Sequence, residues 1–174
     1  MIVERFNCYL RKALELMLAF FMTVMIIAVV WQVFTRFVLQ DPASFTDELS
    51  RYLLMWIGIV GGAYTYSIKR HLALEMLSSK LSHKGQLVLG IVINIIICAF
   101  AAVAMVYGGG VMVSTTLEHG QISPGIMVFG ENLKMGYVYL AVPISGILIL
   151  YYGVVDICES IISLVSPKNA VQGK

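Results

Sequence analysis

The sequence predicts an all-α integral membrane protein with four transmembrane helices, and three observations predict it. Apolar residues fill 59% of the 174 positions and charged residues only 13%, with a mean hydropathy of +0.86, whereas a soluble domain of this size needs a far more polar surface. Stretches free of charged side chains recur at 16–35, 52–68, 85–117 and 135–155. The charges gather in the connections between them. The expected spans are about 13–36, 47–68, 85–113 and 135–156, forming one membrane domain over 1–174 with a short interfacial amphipathic helix at about 70–82.

For the first span, Arg5, Arg11 and Lys12 precede the uncharged run from Leu16 to Thr35. This charge order is also that of a signal peptide, but the apolar part is too long and no small-x-small cleavage pattern follows, so an uncleaved helix is expected. At about 1.5 Å per residue, some twenty residues cross the hydrocarbon core. Trp31 and Phe34 suit an interfacial aromatic belt, and Arg36 can snorkel to the headgroups beyond them.

Asp41-Pro42 cannot continue the incoming helix. Ser44 and Thr46 are candidate caps for a new one, and Asp47 and Glu48 sit in its first turn, where carboxylates favour the positive end of the helix dipole. Arg51 is spaced to pair with either carboxylate. Gly58, Gly61 and Gly62 then place small residues where another helix can approach, either a partner's or one of this chain's own.

Lys69-Arg70-His71 closes the second span. In 69–84, Ala73, Leu74, Leu77 and Leu81 share one helical side while Lys80 and Lys84 lie mostly elsewhere, the pattern of a helix resting among membrane lipids. His71 and Glu75 are spaced i,i+4, but nothing nearby completes a metal ligand set.

The third uncharged run, Gly85 to Leu117, would measure roughly 50 Å as a helix. Either it tilts and projects from the membrane or it weakens at Gly108-Gly109-Gly110. Asn94 inside it is expected to hydrogen-bond a neighbouring helix. Residues 118–134 read as a connecting loop, with Pro124-Gly125 as a turn and an apolar stretch, 126–129, dipping into the interface. In the fourth span Pro143 is expected to bend the helix interior.

Four spans place the N-terminus, the 69–84 segment and the C-terminus on one side. Nine of the twelve Lys and Arg residues lie there, namely Arg5, Arg11, Lys12, Lys69, Arg70, Lys80, Lys84, Lys168 and Lys174. The positive-inside rule therefore makes both termini cytoplasmic.

Several function classes are excluded. The net charge of +2 is too small for a nucleic-acid binder. Cys8, Cys98 and Cys158 form no CxxC pair, and the histidines, His71, His83 and His119, lie outside the spans, so no cofactor such as a bis-histidine haem is expected. Nucleophile-elbow, P-loop and dinucleotide motifs are missing, so the chain does not read as an enzyme. No span holds a charged residue in its middle, where ion-coupled carriers keep a coordinating group. The residues describe a protein that helps another membrane protein; a self-associating small transporter or channel, with Asn94 as its polar group, is the alternative.

Gln32-Val33-Phe34-Thr35-Arg36, followed by Pro42, Phe45-Thr46-Asp47-Glu48-Leu49-Ser50-Arg51, Trp56, Gly61 and His71, resembles the small membrane subunit of tripartite ATP-independent periplasmic (TRAP) transporters, the DctQ family. The resemblance covers most of the chain and is less distinctive after Gly108. It departs at Phe45, where the family commonly has Trp, and at Asp47, where it has Glu; aromatic and acidic character are kept. The resemblance implies a subunit of a sodium-driven uptake system in the bacterial inner membrane that imports organic acids such as C4-dicarboxylates or sialic acids. Its implied partners are a large elevator-type membrane subunit and a periplasmic substrate-binding protein.

Arg36, Asp47, Glu48, Arg51, Trp56, Gly61, Gly62 and His71 are therefore the candidate interface residues. Glu48 with Arg36 and Arg51 forms an internal network joining the first two helices, or else Asp47 and Glu48 meet basic groups on a partner. Trp56 reads as a packing or lipid-contact residue.

Overall fold

The computed structural model describes residues 2–41, 43–68, 83–128 and 130–165. The helix expected over 70–82, His71 and the C-terminal lysines lie outside the described residues.

Helix α1 (Ile2–Phe34) runs without a break through the first uncharged stretch and widens into a π-helical turn over Thr35–Leu39. It stops at Gln40, whose φ of 56° is left-handed, while Asp41 N–H reaches back to Thr35 O over 3.2 Å. Helix α2 (Ser44–Ser67) follows. The expected side-chain cap is not made: Ala43 is the N-cap, and Thr46 Oγ1 donates back to Ala43 O over 3.0 Å instead.

The third rod does not end at its glycines. It is continuous through α3 (His83–Phe100), eight π-helical residues (Ala101–Gly108) and α4 (Gly109–Glu118), so the backbone widens up to and including Gly108 and does not break at the glycines. Its 31-residue apolar portion, Val88–Glu118, is about 47 Å long, well beyond a 30 Å hydrocarbon core.

The connecting loop expected over 118–134 contains a β-hairpin, and the chain is not wholly α. Strands β1 (Ile122–Val128) and β2 (Glu131–Lys134) form an antiparallel hairpin. Ile122 pairs with Lys134 and Met127 with Asn132, so four residues of β1, including Pro124, bulge out of the ladder. Proline has no N–H to offer a ladder, and a bulge is where a strand accommodates it.

Two helices complete the chain, α5 (Met135–Tyr139) and α6 (Ala141–Val165). The expected bend inside the fourth span is displaced: the break falls at Leu140, and Pro143 occupies the first turn of α6, where its missing N–H costs nothing.

Among the described residues three stretches are long and apolar enough to cross a membrane: Arg5–Leu39, Val88–Glu118 and Met135–Ile162. Helix α2, 24 residues long, falls outside that set. Asp47, Glu48 and Arg51 crowd its start, and glycines, tyrosines and hydroxyls dilute its second half.

Specific contacts give the rods alternating directions. Leu18 meets Gly61, Phe21 stacks edge-on to Trp56 at 6.0 Å between ring centroids, and Gln32 bonds Asp47, so α1 and α2 are antiparallel. Helix α6 is parallel to α2, since Ser145 Oγ donates to Ile59 O over 2.8 Å while Gly153 lies against Tyr66. It runs antiparallel to the third rod along a line of close approaches. A Cβ at Gly146 would fall 2.7 Å from Met105 Cβ; one at Gly109 would fall 2.9 Å from Val142 Cγ1; Gly153 abuts Cys98 and Gly136 abuts Leu117.

The interior mixes apolar and hydroxyl groups. Leu14, Val60, Tyr66 and Tyr152 form a buried cluster, and Ser67, Ser123 and Ser145 are fully enclosed. Outward faces are apolar: Phe20, Ile27, Ile96 and Phe100 are all more than 60% exposed, as lipid-facing side chains should be.

Gly153→Leu is expected to destabilise the bundle by roughly 1–3 kcal/mol through overpacking against Cys98 and Tyr66. Gly90→Ala, at a position with open space around it, should be neutral or slightly stabilising. Thermal unfolding in detergent checks both.

Candidate partner-binding site

At one end of the bundle the last turn of α1, the first turns of α2 and the hairpin converge, and four of the predicted residues meet there. Arg36, Asp47, Glu48 and Arg51 line a polar cavity of about 580 Å³ together with Gln32 and Ser44. Their wiring differs from the expected network of Glu48 with Arg36 and Arg51.

Glu48 turns to the hairpin. Ser123 Oγ donates to Glu48 Oε2, and Gly125 N–H donates to the same oxygen over 3.1 Å. Tyr52 Oη, one turn further along α2, donates to Ser123 Oγ over 3.0 Å and also lies 3.1 Å from Met135 Sδ. Tyr52, Ser123 and Glu48 thus form a relay of donors ending on a carboxylate, the arrangement in which each bond polarises the next. The bulge in β1 makes the contact possible. A Cβ at Gly125 would come within 2.9 Å of Glu48 Cδ, so a larger residue there would push the carboxylate off the backbone.

Asp47 joins α1 to α2. Gln32 Nε2 donates to its Oδ1 over 2.7 Å, and Arg51 pairs with its Oδ2 one turn along. The pair is open to solvent, with side chains 70% exposed for Arg51 and 37% for Asp47, so it contributes on the order of 0–1 kcal/mol. Arg36 stands exposed on the cavity rim; among the described residues neither Asp47 nor Glu48 forms an ion pair with it.

Trp56 packs on Phe21 and forms part of an apolar cleft of about 630 Å³ between α1, α2 and the hairpin, with Phe45, Tyr52, Ile126 and Tyr137 among its walls. The glycines divide. Gly61 is taken up by Leu18 of this chain, whereas Gly58 and Gly62 have open space before them. Asn94, at a distance from this end, accepts a hydrogen bond from Tyr66 Oη over 2.8 Å, a helix-to-helix bond as expected.

Sequence reasoning missed Ser123, Gly125 and Tyr52. The usable signal was Glu48 itself, a carboxylate beside an uncharged span, which must find donors, and a glycine flanked by apolar residues in the next connection but one. Pairing the two required knowing that the hairpin folds back on α2.

Apolar rods with charges kept to their rims, and hydroxyls and glycines at their contacts, define a multi-pass membrane protein. Residues 25–162 match the DctQ component of the tripartite ATP-independent periplasmic transporters, and the chain belongs to that family of transporter small permease subunits. A Haemophilus influenzae protein assigned by name as a TRAP transporter small permease protein is 27% identical over 143 residues, 81% of this chain and 83% of that one. The sialic acid TRAP transporter small permease protein SiaQ of Vibrio cholerae is 23% identical over 130 residues, covering 75% of this chain and 70% of the relative.

Glu48→Ala leaves the buried Ser123 hydroxyl and the Gly125 N–H without their acceptor and is expected to cost about 1–3 kcal/mol, with faster amide exchange across 122–134. Asp47→Ala should cost less than about 1 kcal/mol and leave hairpin exchange unchanged. Hydrogen-exchange mass spectrometry in detergent separates the two.

Proposed function

We propose that this chain serves a sodium-driven, binding-protein-dependent importer of an organic acid, broadening the fixed scaffold on which a large elevator-type subunit moves and helping to dock the periplasmic binding protein. The observation that supports this most is the fastening of the hairpin to α2 through Glu48, which makes a firm platform of the end bearing Arg36 and Arg51. An organic anion such as sialic acid or a C4-dicarboxylate is the substrate class, sialic acid being what the Vibrio cholerae relative's name states.

In this reading α2 is a fourth span. It lies between apolar rods, parallel to α6 and antiparallel to α1, and its charged first turns sit at the same end as the hairpin. Nine of twelve cationic residues then lie on the side of both termini, which is cytoplasmic in the bacterial inner membrane, and the hairpin is periplasmic. No span has a charge in its middle, in keeping with a subunit that holds neither substrate nor sodium. The open face of α2 at Gly58 and Gly62 offers the large subunit a close helix contact.

Uptake in proteoliposomes under a sodium gradient is expected to require this chain together with the large subunit and the binding protein. Transport by this chain alone would replace the reading with a self-associating channel. Gly62→Phe should abolish co-purification with the large subunit while leaving this chain's own unfolding temperature unchanged; retained co-purification would remove α2 from the interface.

A further inference from the structure

The apolar cleft walled by Trp56 lies on a different side of α2 from the groups offered to a partner above. Phe45, Leu49, Leu53 and Trp56 recur every three or four residues and share one side of the helix, while Asp47, Arg51, Gly58 and Gly62 fall on the opposite side. Phe21 of α1 and Ile126 and Leu133 of the hairpin close the cleft across from them. Ile126 is buried, whereas Phe45 and Met127 are exposed, so the cleft is open to its surroundings.

Its depth follows from the helices. Gln32 bonds Asp47, so these residues stand at one level, three residues inside the end of the uncharged run at Thr35. From Phe45 to Trp56 is eleven residues, about 17 Å along α2, and from Gln32 back to Phe21 is the same distance along α1. With a hydrocarbon core about 30 Å thick, the cleft runs from the edge on the hairpin side to about the middle. That is the depth of one leaflet.

Spread over about 17 Å, a volume of about 630 Å³ is a slot roughly 7 Å across, too narrow for an α-helix, which measures about 10 Å with its side chains. A single extended hydrocarbon chain is thinner and fits lengthwise. Tyr52, the hydroxyl-bearing residue of the α2 wall, already donates its O–H to Ser123, so that wall asks nothing polar of an occupant. Near the mouth, Lys134 is exposed and directly follows Leu133 of the wall, a cation at the level of the phosphate that such a chain carries.

We propose that this cleft seats one acyl chain of a phospholipid from the leaflet on the hairpin side, with the lipid phosphate at Lys134. The proposal rests on α2 standing beside α1, a rod long and apolar enough to cross a membrane, and not on the transport role proposed above. The seated chain fills the gap beneath the hairpin and braces against α2 the strand that Glu48 fastens from the other side.

The test is the fluorescence of the full chain carrying Trp31→Phe, which leaves Trp56 as its one tryptophan, in a steroid-based detergent that offers no linear chain. Phosphatidylcholine brominated near the end of an acyl chain is expected to quench Trp56 saturably at one lipid per protein, and lipid brominated beside the ester to quench it more weakly. Leu53→Phe narrows the cleft and should weaken binding about tenfold, Lys134→Gln should weaken it about threefold, and Leu54→Phe, at an exposed position outside the cleft, should leave it unchanged. Leu133→Phe narrows the cleft from the hairpin and decides the matter if Leu53→Phe fails to fold. Quenching that rises without saturation, equal effects of Leu53→Phe and Leu54→Phe, or stronger quenching from beside the ester would each overturn the proposal. So would relief of quenching by added large subunit, which gives the cleft to that partner, or by raised protein concentration at a fixed lipid ratio, which gives it to a second copy.

Discussion

Helices in hydrocarbon gain little by hiding apolar surface from lipid that is as apolar as they are, so their association depends on how closely their backbones approach. In this protein that constraint is met along the seam between the third rod and the α5–α6 rod. Gly109, Gly136, Gly146 and Gly153 each occupy a place where a Cβ would strike the opposite helix. They occur on both sides of the seam, Gly109 facing α6 and the other three facing the third rod. Pro143 lies at the Gly109 contact, and its displacement to the start of α6 lets that helix run straight past the glycine. The wide π-helical turn from Ala101 to Gly108 spans the residues, Met105 and Val106, that meet Gly146.

Once the rods are that close, a few polar bonds select their register. Ser145 to Ile59, Tyr66 to Asn94 and Tyr151 to Asn7 each join a different pair of helices. None of these groups is charged, which keeps the desolvation cost low while still penalising a shifted register with an unpaired polar atom. Helices α2 and α6 each make two of the three bonds, so the least apolar rod is tied to neighbours on two sides.

The two ends of the bundle use charge differently. At the hairpin end, Glu48 spends its carboxylate on the backbone and hydroxyl of β1, and Asp47 spends its own on Gln32 and Arg51, while Arg36 stands exposed on the rim with neither carboxylate as a partner among the described residues. A rigid surface with an exposed guanidinium suits a family whose members work beside other proteins of a tripartite system. At the other end Arg11, Lys12, Glu15 and Glu159 are among the described residues that line a second polar cavity.

Much was legible before any coordinates. Uncharged runs marked the long rods because burying a charge in hydrocarbon is prohibitive, and Asn94 had to find a partner for the same reason. The residues around Gln32, Asp47 and Glu48 resembled the DctQ family, and the family match confirmed that membership. Other features depended on contacts between distant segments. Thr46 looked like a cap but bonded Ala43 O, Glu48 bypassed nearby arginines for a strand more than seventy residues away, and a loop became a hairpin because its bulge could be satisfied by α2. The sequence by itself determined where the chain is uncharged and hence which stretches belong in lipid, since transfer cost is a property of each side chain. The tertiary structure alone decided which glycines face a neighbour, which carboxylate meets which donor and where the helices break, because those depend on the packing partner.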